Sequence, residues 1–264
     1  MTLTTRGESA VRASSHPLAL VTGTSSGIGE ALAQDLLERG WRVVGMSRRA
    51  ANIRAPGYTH FRMDLGDLAG LSALLETKIR PLISDPAVIR LGLVNNAALV
   101  ALLGPMDQLD PTALLNVYAV NTTAPILLMG WCLRHSRPGI PLRIVNVSTG
   151  AAVTPFPGLG AYGTSKAALR MAGMILAAEL ELRSQAGSAP DATALSFEPG
   201  LVDTPMQAAA RTSPADTLPI VQVFEDWAAT GALVPPAGPA AEIADYLDAD
   251  GHPRWLERRY APPA

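Results

Sequence analysis

From Pro17 onward the chain alternates between short, mostly apolar runs and longer stretches of helical periodicity. The runs Leu18 to Thr22, Arg42 to Met46, Thr59 to Arg62, Leu91 to Asn95, Arg143 to Val147 and Thr193 to Phe197 predict strands, because a strand covered on both faces needs little alternation. Between them, Gly29 to Arg39, Leu68 to Ile79, Thr112 to Leu133 and Tyr162 to Arg183 carry helical patterns. Strand, helix and strand in that order imply parallel pairing through helical crossovers. The pattern predicts a single doubly wound α/β domain, a parallel sheet of about seven strands with helices on both faces. Residues 1–16 read as a flexible N-terminal tail and 17–264 as the domain. Pro and Gly cluster in Glu198-Pro199-Gly200 and across Pro235 to Pro239, so about 199–240 is expected to form loops that fold over the rest as a lid.

Composition narrows the partners. A chain of 264 residues, 48% hydrophobic, supports one core. Net charge of -2 offers no basic face to nucleic acid or to an anionic membrane. Runs such as Ala124 to Leu133 fall short of the roughly 18 apolar residues that a span needs. The first residues lack the apolar segment of a secretory signal, and Cys132 stands alone in an apolar run, so a reduced thiol and a cytoplasmic location are expected. No metal site is expected, and the partner is a small molecule.

The first strand runs into Gly23-Thr24-Ser25-Ser26-Gly27-Ile28-Gly29 and then directly into a helix. A dinucleotide site needs that order. Gly23 allows a tight turn, Gly27 clears the approach of a pyrophosphate, Gly29 permits close packing, and the helix N-terminus presents free N–H groups. The alternative is a plain glycine-rich turn. After the second strand come Ser47, Arg48 and Arg49 where an NAD site would carry an acid. Guanidinium forks match a 2′-phosphate, so NADP(H) is expected unless these arginines merely solvate a strand end. Asp64 and Leu65 are placed to meet the adenine, or Asp64 to cap the helix beginning near Leu68. Asn95, Asn96 and Ala97 close the fourth strand, either beside the cofactor or tying strands together.

Tyr162 and Lys166 are four apart and share one helix face. Carbonyl reduction needs a proton at oxygen as hydride reaches carbon. A free phenol titrates near 10, and an ammonium about 4 Å away would contribute about 4 kcal/mol, or roughly three pK units, at a dielectric of 20. Ser148 and Thr149 precede Tyr162 by fourteen and thirteen residues, and a hydroxyl there would polarise a substrate oxygen. Asn121 interrupts an apolar helix; it either holds a water that feeds protons to Lys166 or bends the helix.

Together Thr22-Gly23-(x3)-Gly27-x-Gly29, Asn95-Asn96-Ala97, Asn121, Ser148/Thr149, Tyr162-(x3)-Lys166 and Pro199-Gly200 resemble the short-chain dehydrogenase/reductase family over residues 18 to about 206. The resemblance implies a Rossmann-type fold and a tetrad of Asn121, a serine, Tyr162 and Lys166. It also places Val202 and Thr204 at the nicotinamide carboxamide and implies a homodimer or homotetramer. Two departures stand out: Thr149 occupies the usual serine position, and Ala98 replaces the glycine of Asn-Asn-Ala-Gly. Thr154 to Gly158, Val202 to Gln207 and Arg211 look like the sepiapterin reductase and benzil reductase branch. No aspartate stands around Glu257 to Tyr260, which argues against a pterin substrate. The expected activity is NADPH-dependent reduction of a ketone or α-dicarbonyl compound, with Leu99, Phe156, Leu159, Met206 and Trp227 as pocket walls beside Thr149. The alternatives are an alcohol dehydrogenase working in the oxidising direction and a non-catalytic NADP(H) sensor.

Overall fold

The computed structural model describes residues 15–100 and 103–262. The expected N-terminal tail lies largely outside the described residues; its last residue, His16, already belongs to a strand. Seven strands form one sheet: β1 (His16–Thr22), β2 (Arg42–Ser47), β3 (Tyr58–Arg62), β4 (Val88–Asn95), β5 (Leu142–Val147), β6 (Ala192–Glu198) and β7 (Trp255–Arg259). Their order is β3-β2-β1-β4-β5-β6-β7, and every neighbouring pair is parallel. The chain winds outward from β1 in one direction and from β4 in the other. A crevice therefore opens where those two strands end, the place where doubly wound folds bind ligands.

Nine α-helical segments accompany the sheet among the described residues: α1 (Gly27–Glu38), α2 (Leu68–Leu74), α3 (Arg80–Ile83), α4 (Pro111–Tyr118), α5 (Ala124–His135), α6 (Gly160–Gln185), α7 (Pro205–Arg211), α8 (Val221–Ala229) and α9 (Ala237–Asp248). Alternate residues of β1 and β2 point to opposite faces, as a strand dictates. Leu18, Leu20, Val44 and Met46 meet Leu71, Leu128 and Leu169 on one side. Ala19, Val21 and Val43 meet Leu32, Leu36 and Ile243 on the other. Each fully buried leucine of this kind contributes about 1.5–3 kcal/mol, so both helical layers are held firmly against the sheet.

The segment α4 to α5 is one continuous helix, Pro111–His135, joined by a π turn at Ala119–Thr123. Its 25 residues hold an 18-residue window of mean hydropathy 1.3, long and apolar enough to cross a membrane, contrary to the shorter runs read from sequence, but 44% of that window is buried inside the domain. It is a core helix of the fold. Cys132 is buried in it, and desolvation pushes its thiol up to about 12.

The C-terminal third is more regular than its Pro and Gly content suggested. Within 199–240 lie α7 and α8 and the start of α9, with Pro205 opening α7 at a position where proline favours a helix. Strand β7, the seventh of the expected strands, was not among the six runs assigned from sequence, and it completes the sheet against β6.

Candidate active site

The crevice is a groove of about 490 Å³, within the usual range for a small-molecule site. Its floor is set by two stitches between β1 and β4. Thr22 Oγ1 accepts from the backbone N–H groups of Asn96 and Ala97 at 3.0 Å each, and Asn96 Nδ2 donates to the Thr22 carbonyl at 2.9 Å. Gly23 and Gly27 have φ of +77° and +62°, a region that side chains disfavour. A Cβ on Gly29 would strike the Gly23 carbonyl oxygen and lie 2.5 Å from Asn96 Nδ2. The three glycines thus let the turn, the Asn96 side chain and α1 share one small volume. Ser26, the residue before α1, makes no side-chain cap bond, which leaves first-turn N–H groups available for an anion. This cradle fits a pyrophosphate.

Ser25, Ser26, Ile28, Ser47, Arg48, Arg49, Asp64, Leu65 and Ala97 line the same groove. Arg49 Nη2 donates to Ser26 Oγ at 3.3 Å, so its guanidinium lies beside the phosphate turn. Ser47 Oγ fixes that segment by donating to the Arg49 carbonyl at 2.7 Å. Asp64 does not cap the following helix; Asp67 does so by accepting from Gly70 N, while Asp64 accepts from Gly66 N.

At the other end Tyr162, Lys166, Ser148, Pro199 and Thr204 form the wall. The first turns of α6 present Tyr162 and Lys166 to the end of β5, where Lys166 Nζ donates to the Val147 carbonyl at 2.7 Å. The Thr149 side chain acts on the Tyr162 phenol, favouring its ionised form. Ser148, and not Thr149, lines the groove; Thr149 Oγ1 accepts from Ala151 N at 3.3 Å. Lys166 Nζ lies 6.0 Å from the Tyr162 ring centroid. Burial pushes the phenol up to about 12 against the lowering effect of Thr149, and burial brings Lys166 down to about 8. Desolvation is the largest cause in both cases, so in the free protein burial favours the neutral form of each group.

Asn121 is fully buried in the π turn. Its Oδ1 accepts from Leu99 N at 2.7 Å, and its Nδ2 donates to Leu99 O at 2.9 Å and to Ser165 Oγ at 3.0 Å. Ser165 in turn donates to the Tyr162 carbonyl at 2.7 Å. The amide thus ties the loop after β4 to α6.

Several sequence-predicted residues stand back from the groove lining. Asn95 ties strands together by donating to Asn146 Oδ1 at 2.8 Å. Gly200 turns the chain with φ of +73°. Val202 is buried and bridges to Val234. Among the expected pocket residues, Leu99 and Met206 line the groove. Phe156 and Leu159 instead join Leu218 and Phe224 in a separate apolar cluster, and Trp227 packs edge-on against Phe224 at 5.0 Å. Sequence reasoning missed Met46, Met63, Val120, Val147 and Pro205 as lining residues. Met46, Met63 and Val147 stand at or next to the ends of strands already assigned, and that position was the available signal for them.

The short chain dehydrogenase family model matches residues 17–215. A benzil reductase ((S)-benzoin forming) of Bacillus cereus is 30% identical over 247 residues, 89% of this chain and 95% of that protein. A sepiapterin reductase of Meriones unguiculatus is 34% identical over 215 residues, 75% of this chain and 78% of that protein. The crystal structure of the KRED1-Pglu enzyme matches with a TM-score of 0.74 at 25% identity, covering 90% of this chain and 99% of that one. With the parallel sheet, the glycine cradle and the tyrosine and lysine on one groove, these findings place the chain in the short-chain dehydrogenase/reductase family of oxidoreductases.

Proposed function

We propose that the protein reduces a ketone or α-dicarbonyl compound with NADPH, Tyr162 serving as the general acid. The observation that carries this reading is the convergence of Tyr162, Lys166 and Ser148 on the wall of the groove that begins at the phosphate turn, with the Thr149 side chain acting on the phenol. NADPH, when bound, supplies the hydride to the carbonyl carbon. Ser26, Arg48 and Arg49 would hold the 2′-phosphate, Gly23 to Gly29 the pyrophosphate, and Asp64 and Leu65 the adenine. Val202 and Thr204 would position the carboxamide, Val202 through the backbone since its side chain is buried.

The chain's own groups account for the proton. A phenol raised to about 12 holds its proton at pH 7 and can release it to an oxygen that is becoming an alkoxide. The phenolate left behind is stabilised by the Thr149 hydroxyl and the Lys166 ammonium. An ammonium about 4–6 Å from the phenolate oxygen would be worth about 3–4 kcal/mol at a dielectric of 20. Asn121, through Leu99 and Ser165, is a positioning residue. Leu99 and Met206 give the substrate end an apolar wall, and the similarity to a benzil reductase supports a compact apolar dicarbonyl.

We also propose a homodimer or homotetramer. Leu115, Ile126 and Leu127 on the Pro111–His135 helix and Met171, Ile175 and Leu182 on α6 are exposed, an apolar surface that a second copy would cover.

Measuring loss of NADPH absorbance against benzil, other diketones, quinones, pterins and steroids tests the activity. Turnover of at least one diketone with NADPH preferred over NADH supports the reading. Nucleotide binding without turnover of any carbonyl would remove it.

A further inference from the structure

Behind the phosphate turn, on the side away from the groove's catalytic end, three polar side chains form a chain that the catalytic reading does not use. Thr24, the second residue of the turn, is fully buried. Its Oγ1 lies 2.9 Å from the Tyr58 hydroxyl, and that hydroxyl lies 3.2 Å from His60 Nδ1. Tyr58 and His60 stand on β3, two strands away from β1, where the turn begins. The phenol reaches Thr24 by crossing β2 at Gly45: a Cβ there would strike the Tyr58 oxygen and lie 2.6 Å from Thr24 Oγ1. Gly45 has an ordinary strand backbone, so its lack of a side chain is used for this passage alone.

We propose that Tyr58 is a positioning residue for dinucleotide binding, acting through Thr24. Gly23 and Gly27 give the turn its shape and also make it soft, since glycine restricts the backbone least. Thr24 lies between them and is the one residue of the turn whose side chain is anchored to β3. The bond from Tyr58 holds the N–H groups of the turn in the arrangement a pyrophosphate needs before the nucleotide arrives, so less ordering is required on binding. Burial raises Tyr58 above the ordinary phenol value, which keeps it a neutral hydroxyl beside the anion. Burial also lowers His60 below the ordinary imidazole value, so it adds no charge at neutral pH.

This inference rests on the dinucleotide reading, and the test separates the two. NADPH and NADH are titrated against the parent, Tyr58→Phe, Thr24→Val and the double variant, alongside steady-state kinetics with an accepted diketone and thermal melts. The expected result is a three- to tenfold rise in Kd and KM for the preferred nucleotide in Tyr58→Phe, as loss of one net hydrogen bond implies, with kcat changed less than twofold. Thr24→Val removes the same bond from its other end, so the double variant should be no weaker than the worse single one. Gly45→Ala, whose Cβ would strike the Tyr58 oxygen and crowd Thr24 Oγ1, should raise Kd as well. A Tyr58→Phe protein that melts earlier but binds with unchanged Kd would show a merely structural bond and overturn the proposal. So would additive losses in the double variant. A parent that binds neither nucleotide would overturn the dinucleotide reading together with this inference.

Discussion

Replacing Lys166 with methionine should make the protein more stable and far less active. Lys166 is 2% exposed, and desolvation lowers it from 10.5 to about 8. A shift of that size corresponds to about 3 kcal/mol of differential stability. Its direction matters. At pH 7 the lysine is ionised in both states, and the folded chain bears the full cost of burying the charge. Between about pH 8 and pH 10.5 the folded protein has released a proton that the unfolded chain still holds, so stability from this group rises with pH through that window. Methionine avoids the charge but leaves the Val147 carbonyl without its 2.7 Å partner, a loss of about 1–2 kcal/mol. The net gain is about 1–2 kcal/mol at pH 7, or roughly 3–6 °C in Tm for a domain of this size. Melts of the parent and Lys166→Met by circular dichroism from pH 7 to pH 10 give the comparison. The gap should be widest at pH 7 and close as pH rises above 8, while kcat falls about a hundredfold from loss of the roughly 3 kcal/mol that the ammonium lends the phenolate. A variant less stable at pH 7, or a gap that stays constant to pH 10, would refute the reasoning.

Three further outcomes are expected. Gly29→Ala should abolish nucleotide binding in a calorimetric titration, because its Cβ would meet the Gly23 carbonyl and Asn96 Nδ2 and the turn must move. The Arg48→Ala/Arg49→Ala double variant should raise KM for NADPH about ten- to a hundredfold, the value of one or two charge-assisted bonds, and leave KM for NADH nearly unchanged in parallel assays. Ile175→Glu, which puts a charge on the exposed apolar face of α6, should yield a smaller species than the parent by light scattering, with the fold retained by circular dichroism.

Strands β1, β2, β4, β5 and β6 were legible because they are almost wholly buried and mostly apolar. Strand β7 was not: Glu257, Arg258 and Arg259 are exposed, so this edge strand has the composition of a loop. Helix α7 was hidden by its own start signal, since Pro205 in a Pro- and Gly-rich stretch looks like a breaker until a capping Thr204 is recognised before it. In the site, the glycines, Tyr162 and Lys166 carried their own spacing. The phenol's surroundings did not. Whether Lys166 aims its ammonium at Tyr162 or at Val147 depends on where β5 ends against α6, and burial decides the titration of both groups. Asn121 was visible as a polar break, but its attachment to Leu99 and Ser165 joins segments 22 and 44 residues away, beyond any local pattern. Phe156 and Leu159 were assigned to the pocket by their apolar character alone, which cannot distinguish a groove wall from the small cluster they join.

The central claim is that the Tyr162 hydroxyl supplies the proton at the mouth of the nucleotide groove. Kinetics and NADPH titration of Tyr162→Phe, run together on one accepted diketone, test it most directly. The account predicts that kcat falls by at least a hundredfold while Kd for NADPH stays within about threefold of the parent. Turnover within tenfold of the parent at unchanged Kd would contradict it.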